Sequence, residues 1–521
     1  MAYDLLIKNG RVVDGSGGPA FYADVAVQNG KIVGVGKFTE SAARTIDADG
    51  RVVAPGFIDH HTHYDPQALW DPLCNYTVQN GNTTVVVGQC GQTIAPARPG
   101  DQRVNGVNFT WGSIAEYLDA LGQRRGVNVG ALVGHSGVRR YVMGEAASER
   151  AEATAEEIES MKQLVREGML AGALGFSTTP KDRDDPAGVA AEEERYMLGS
   201  VLGELGTGLF QWLEDSFREG IRAYGSCISI TAGPIFNLRL GLDVPQDEDL
   251  ISPHIMFAGM PTWDSVMARP TPERMRAFRD TEIRRALSAE AVEGTVAQAA
   301  PGTDRRGSPR GFFNRRWDLV EVFMAHQERN RQFEGKSVEQ LAQEQGKGIM
   351  EAFLDLSLDE DLETHFLCVD RNVDVDSQRQ ILGSPYTVIG TTDGGARPDT
   401  MDRYEYSTNL LGYWVREKQI MSLEDAVYRL TGKTALMHEL HDRGFIAPGK
   451  AADLTIFDAD TIASKPREPV DYPPAGANAK HVRRGAIGID YVIVNGEVLL
   501  EDGEHTGALP GQVLRGPLYQ G

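Results

Sequence analysis

The chain opens with short runs in which apolar and polar positions alternate: YDLLIKNG, RVVDGSGG, ADVAVQNG and KIVGVG. Period-two alternation predicts half-buried strands. Asn-Gly between such runs predicts a tight hairpin, because both residues tolerate a positive φ. The same texture returns near the other end, in KAADLTIFDAD and IDYVIVNGEVLLEDG. Two distant ends that look like parts of one antiparallel sheet predict a small β-domain built from residues 1–54 and 445–510, with 55–444 inserted between them.

The insert alternates apolar strand candidates with helical stretches. TTVVVGQCG, NVGALVGHS, GALGFSTT, GLFQWL, SCISITAG and YTVIGTTDGG are predicted strands. TAEEIESMKQLVREGML and AEEERYMLGSVLGEL, with acidic starts and helical spacing of apolar residues, are predicted helices. Repeated strand–helix units give a parallel sheet. With ionisable residues at strand ends, an α/β fold of the TIM (β/α)8 type leads. The Gly-, Pro- and Arg-rich stretch APGTDRRGSPRGFFNRRW predicts a long loop.

Bulk properties narrow the function. The 521 residues are 41% hydrophobic and 24% charged, an ordinary globular composition. A net charge of -22 argues against nucleic acid, which is held chiefly by clustered Lys and Arg. No long apolar run suggests a membrane span, and the start lacks the basic-then-apolar pattern of a signal peptide. Four cysteines, Cys74, Cys90, Cys227 and Cys368, are too few for a disulfide framework and suit a reducing cytoplasm.

Residues 59–72, DHHTHYDPQALWDP, carry the first chemistry. His61 and His63 point the same way on an extended backbone, so both imidazoles can reach one metal ion. His60 points to the opposite face. Asp65, two residues beyond His63, is placed to orient a ligand histidine, to act in catalysis, or to cap a helix.

PGFIDHHTHYD, GNTTVVVGQCG, GHSGVRR, GTTDGG and RGFIAPGKAADLTIFD, in that order, resemble the amidohydrolase superfamily, and within it the N-acyl-D-amino-acid deacylase branch. The resemblance implies a metal-bearing TIM barrel with a β-sandwich made from both termini. It implies His61 and His63 as metal ligands, Cys90 as a metal-bridging thiolate, and Asp393 as a ligand that doubles as general base. A buried apolar thiol and a turn aspartate are the alternatives for Cys90 and Asp393. His135 and Arg139, in a GH-x-x-x-R pattern, and Arg397 would contact substrate.

Deacylases of this branch supply two further histidines from the fifth and sixth strands. The corresponding stretch here, GTGLFQWLEDSFREGIRAYGSCISITAG, contains none. It offers Gln211, Glu214 and Asp215, and it has room for about one strand–helix unit where the family has two. Among the unassigned histidines His254, His326 and His365, His254 is the best replacement ligand.

This pattern is similar to a smaller subgroup, that of the TIM-barrel nonheme diiron monooxygenase of platensimycin and platencin biosynthesis. That similarity implies two metal ions, iron favoured over zinc. The expected function is then hydroxylation of a bulky apolar terpenoid, CoA-linked in one form, with reducing equivalents from an electron donor. Arg305, Arg306, Arg310, Arg315 and Arg316 would meet a CoA phosphate or an acyl-amino-acid carboxylate, or form a solvated loop. The alternative is a zinc-dependent amidohydrolase that deacylates N-acyl-D-amino acids. Either is a metalloenzyme with a small-molecule substrate, and a homo-oligomer is compatible with both.

Overall fold

The computed structural model describes residues 3–74, 76–98, 110–122, 125–150, 152–178, 196–200, 207–220, 222–231, 235–240, 256–257, 259–293, 313, 315–369, 372–390, 392–395, 403–465, 468–471, 480–483 and 485–520. Five strands come first: β1 (Tyr3–Val12), β2 (Phe21–Gln28), β3 (Lys31–Gly36), β4 (Ala42–Asp47) and β5 (Val52–Pro55). The barrel strands follow: β6 (Phe57–Asp59), β7 (Asn82–Val87), β8 (Asn128–Ala131), β9 (Val133–Gly134), β10 (Phe176–Thr178), β11 (Tyr196–Ser200) and β12 (Arg222–Cys227).

Residues Thr231–Asp374 form a compact unit of their own. It holds an antiparallel sheet of β13 (Ile235–Phe236), β14 (Val320–Met324) and β15 (His365–Cys368), with β15 in the centre. Its core contains packed aromatic rings: Phe257 stacks on Trp263 at 4.0 Å, and Phe353 packs on Trp317 and Phe366 at 5.0 and 4.6 Å.

After this unit β16 (Thr387–Ile389) rejoins the barrel. The chain ends with β17 (Leu454–Phe457), β18 (Ala463–Ser464), β19 (Glu468–Asp471), β20 (Lys480–Arg483), β21 (Ala486–Ile487), β22 (Ile489–Val494), β23 (Glu497–Glu501) and β24 (Glu504–His505).

A nine-stranded sheet joins both termini in the order β24-β23-β22-β17-β5-β1-β2-β3, with β4 on β1. This is the β-sandwich part of the fold. Asn29–Gly30 and Asn495–Gly496 have positive φ at both residues, the turn that the twist of a hairpin requires. The first Asn-Gly behaves differently. Asn9 has φ 56, but β1 runs through it, and the register on β2 shifts between Ile7 and Gly10. Asp24, on β2, accepts the Asn9 amide at 3.0 Å and stabilises this bulge.

The barrel is of the TIM type, with its strands paired in parallel. One ladder runs β6-β7-β8, and β9 carries that last strand past Leu132 into the ladder β9-β10-β11-β12-β16. The His61 amide donates to Gly390 O at 3.0 Å, which ties the end of β6 to the end of β16. Counting β8 and β9 as one, the described residues show seven strand positions, and β12 pairs directly with β16.

Two predicted elements exchange type. GLFQWL lies in a helix, Thr207–Arg218, where Phe210, Leu213 and Phe217 recur at helical spacing. The stretch predicted as the preceding helix contains β11, a strand held in parallel ladders by β10 and β12. Tertiary pairing outweighs its local propensity. The predicted helix after Thr154 forms over Ala155–Leu170, started by a capping box between Thr154 and Glu157. Among the described residues no helix is long and apolar enough to cross a membrane.

Candidate metal centre

Three chain segments leave their strands at one end of the barrel and converge. The first follows β6, where strand pairing stops after Asp59 and the backbone is taken over by the last barrel strand. His61 N donates to Gly390 O, His63 N donates to Gly394 O at 2.7 Å, and Asp393 N donates to His61 O at 3.3 Å. The second is the GQCG turn after β7, in which Cys90 adopts φ 55. Ser177 on β10 supports it, accepting from Gly91 N at 3.1 Å and donating to Gly88 O at 2.5 Å. The third is TTDGG after β16, where Asp393 has φ 53. Cys90 and Asp393 both hold a backbone conformation unfavourable to side chains with a Cβ, a strain that concentrates at functional sites.

The side chains meet. His61 Nε2 lies 3.4 Å from Cys90 Sγ and 3.1 Å from Asp393 Oδ1, and His63 Nε2 lies 3.8 Å from the same oxygen. Donor atoms of His61, His63 and Cys90 all fall within 4.8 Å of one another. His61 is buried, whereas His63 and Asp393 keep partial exposure, so the cluster opens on one side.

Electrostatics match the geometry. Burial opposes charge on every member, and mutual pairing overrides it. The Cys90 thiol is drawn down to about 6 by His61 and His63. His61 is pushed up to about 10 by Cys90 and Asp393. Asp393 stays well below the ordinary carboxylate range, held by His61 and by Arg403, whose Nη1 lies 3.4 Å from Oδ2. A thiolate and a carboxylate therefore face two imidazoles. That is a place for positive charge, and two nitrogens, a thiolate and a carboxylate are the donor types that suit zinc.

The surroundings fix the loops. Asp65 accepts Gly88 N at 3.2 Å through Oδ2, and its carbonyl accepts Tyr117 Oη at 2.9 Å. Burial raises its carboxyl to about 6. Asp59, fully buried on β6, accepts Thr392 Oγ1 at 2.6 Å and so ties β6 to the TTDGG turn. Burial takes its carboxyl to about 8. Neither Asp59 nor Arg403 has a role assigned from sequence: Asp59 is the last residue of β6, and Arg403 follows the TTDGG turn by several residues.

The other expected residues fall elsewhere. His135, buried at the end of β9, places Nδ1 3.1 Å from Thr178 Oγ1. Arg139 donates to Arg150 O at 2.7 Å. Gln211, Glu214 and Asp215 lie on the Thr207–Arg218 helix in a surface network: Asp215 accepts from Gln211 and Arg218, and Glu214 accepts from Arg218. They do not replace the missing histidines. His326 and His365 contact each other at 3.2 Å in the Thr231–Asp374 unit. His438 is buried with its ring 6.2 Å from that of His60. Arg315 donates to Glu290 O and Arg316 pairs with Asp318. His254, Arg397, Arg305, Arg306 and Arg310 lie outside the described residues. All four cysteines are free thiols.

Known proteins share this arrangement of sequence and fold. The amidohydrolase family profile matches residues 44–216 and 252–500. A D-aminoacylase of Alcaligenes xylosoxydans xylosoxydans is 30% identical over 98% of this chain and 97% of that protein. An N-acyl-D-glutamate deacylase of the same organism is 29% identical over 98% and 96%. In structure, D-aminoacylase covers 98% of this chain and 100% of its own at TM-score 0.62 and 23% identity. N-acyl-D-glutamate deacylase from Bordetella bronchiseptica, solved with zinc and a phosphonate mimic of the tetrahedral intermediate, covers 99% and 100% at TM-score 0.63 and 23% identity. The chain belongs to the amidohydrolase family, in its N-acyl-D-amino-acid deacylase branch.

These relatives overturn the diiron monooxygenase expectation. A D-aminoacylase and an N-acyl-D-glutamate deacylase each match this chain over 98% of its length. The oxygenase expectation rested on a resemblance carried by the HYDPQALWDP extension and the missing histidines, and a lost ligand does not specify a new reaction. Iron, terpenoid hydroxylation, the CoA thioester and the electron donor rested on that resemblance and have no other support.

Proposed function

We propose that this protein is a metal-dependent amidohydrolase that removes the acyl group from N-acyl-D-amino acids. The observation that carries the reading is the convergence of His61, His63, Cys90 and Asp393 at one end of a deacylase-type barrel. In this reading residues 55–444 carry the catalytic machinery, and 1–54 with 445–510 form the sandwich.

His61, His63, Cys90 and Asp393 would hold the metal, with zinc favoured by the donor types. When bound, it supplies a Lewis acid for the acyl carbonyl and lowers the pKa of water. Asp393 does the proton work. Its Oδ1 faces both imidazoles and its Oδ2 faces Arg403, which keeps the carboxylate ionised and fixed in direction. It takes a proton from the attacking water and delivers it to the amide nitrogen as the C–N bond breaks, leaving a carboxylate and a free amino acid. A D-aminoacylase binuclear centre is described as activated by one metal and attenuated by a second. The donors gathered here suit one such metal, and one is enough for this chemistry.

The test is hydrolysis of a panel of N-acetyl-D-amino acids and their L enantiomers by protein stripped of metal and then given zinc. Zinc-dependent release of D-amino acids is expected. No hydrolysis of any D substrate, or equal rates without metal, would sink the reading.

A further inference from the structure

His61 presents two nitrogens to two different surroundings. Nε2 faces Cys90 and Asp393 at 3.4 and 3.1 Å. Nδ1 faces Ser226 Oγ at 3.3 Å, and that same oxygen lies 3.5 Å from His60 Nε2. All three residues are at most 2% exposed. We propose that Ser226 is a positioning residue that fixes His61 in the tautomer required for metal binding. This inference rests on the metal-dependent reading above.

A neutral imidazole carries one N–H and one lone pair. If Nε2 is to offer its lone pair to a metal, Nδ1 must carry the hydrogen, and that hydrogen needs an acceptor in a dry site. Ser226 Oγ is placed to accept it. Its own hydroxyl hydrogen then points at His60 Nε2, so the bond order runs in one direction, from His61 Nδ1–H to Ser226 and from Ser226 O–H to His60. A hydroxyl does this work without adding a third negative charge behind a centre that already holds Cys90 and Asp393.

The fold explains how the serine arrives there. Ser226 lies on β12 in register with Val388 of β16, and β16 is tied to β6 through His61 N and Gly390 O. Direct pairing of β12 with β16 brings this residue beside the start of the histidine motif. Ser226 acts through His61 and touches neither metal nor substrate.

Zinc affinity, measured by competition with a chromogenic chelator and with no substrate present, tests the assignment. Ser226→Ala is expected to bind zinc about 10- to 100-fold more weakly than wild type. The isosteric pair Ser226→Thr and Ser226→Val removes any ambiguity from folding: Thr should stay within a few-fold of wild type, and Val should fall with Ala, while the metal-free proteins melt alike. Wild-type affinity in both Ala and Val would overturn the assignment and leave the hydrolase reading standing. Wild type that binds no zinc would overturn both.

Discussion

Asp393 and His61 are joined twice, once by the 3.1 Å contact between Oδ1 and Nε2 and once by the Asp393 amide donating to the His61 carbonyl. The two side chains proposed to hold the metal are therefore set by the same backbone bonds that hold β6 against the last barrel strand. Asp393→Asn keeps the shape and removes the proton acceptor. It should lower kcat/KM by about 10²- to 10⁴-fold with the circular dichroism spectrum unchanged. His61→Ala should instead lose bound zinc. Retention of near-wild-type kcat/KM in Asp393→Asn would exclude it as the base.

Cys90 should stand out chemically from Cys227 and Cys74. Burial raises its thiol, but His61 and His63 outweigh that and bring it down to about 6. Burial drives Cys227 up to about 11 and Cys74 well above the ordinary thiol value. The thiolate is the reactive form, so reactivity appears as pH rises through the pKa and disappears below it. In metal-stripped protein, iodoacetamide should modify Cys90 first, with a rate midpoint near pH 6, and zinc should protect it. Mass spectrometry across pH 4–9 reads this directly. A midpoint near the free-thiol value of ~8.5 would contradict the pairing with the two histidines.

Contiguous signals were legible. HTH, GQCG and TTDGG each put a donor just past a strand, so short strings disclosed His61, His63, Cys90 and Asp393. Arg403 and Ser226 were not legible, because each reaches the cluster through strand pairing or loop return that no local pattern encodes. The β11 region and GLFQWL exchanged type because a ladder on both sides decides β11, while helical spacing of Phe210, Leu213 and Phe217 decides the other. Gln211, Glu214 and Asp215 fill the right stretch of sequence, but on a helix surface Glu214 and Asp215 pair with Arg218 and Gln211 donates to Asp215. The compact Thr231–Asp374 unit leaves no local pattern because its core is built from apolar residues scattered over more than a hundred positions.

Asp24 gives the sheet a pH-dependent contribution. Its carboxylate accepts Asn9 N and Lys37 Nζ at 3.0 Å and Phe38 N at 3.1 Å. Burial opposes the charge, but these donors together lower the pKa below the ordinary value. A carboxyl with a depressed folded-state pKa contributes stability that is fully present above the unfolded value of ~3.9 and is lost as pH falls through the folded value. Asp24→Asn should cost about 1–3 kcal/mol at pH 7. The gap in melting temperature from wild type should narrow at pH 3. An equal gap at both pH values would show that charge plays no part.

Gly394 is the residue that lets Tyr64 lie against the TTDGG turn. A Cβ there would stand 2.5 Å from Tyr64 Oη and 2.6 Å from its Cζ, closer than side chains approach. Tyr64 is fully buried, so its ring has no route to solvent, and Gly394 N is also held by Thr392 Oγ1 at 2.8 Å. The strain of Gly394→Ala must then fall on the turn that carries Asp393. Overpacking of this kind costs about 1–3 kcal/mol. The variant should melt lower and lose kcat, because Asp393 is its immediate neighbour. Tyr64→Leu shortens the obstructing side chain, so the double variant should lose less stability than the sum of the singles, by ~0.5–3 kcal/mol. Strictly additive losses would mean that the strain of an added Cβ is relieved somewhere other than at Tyr64.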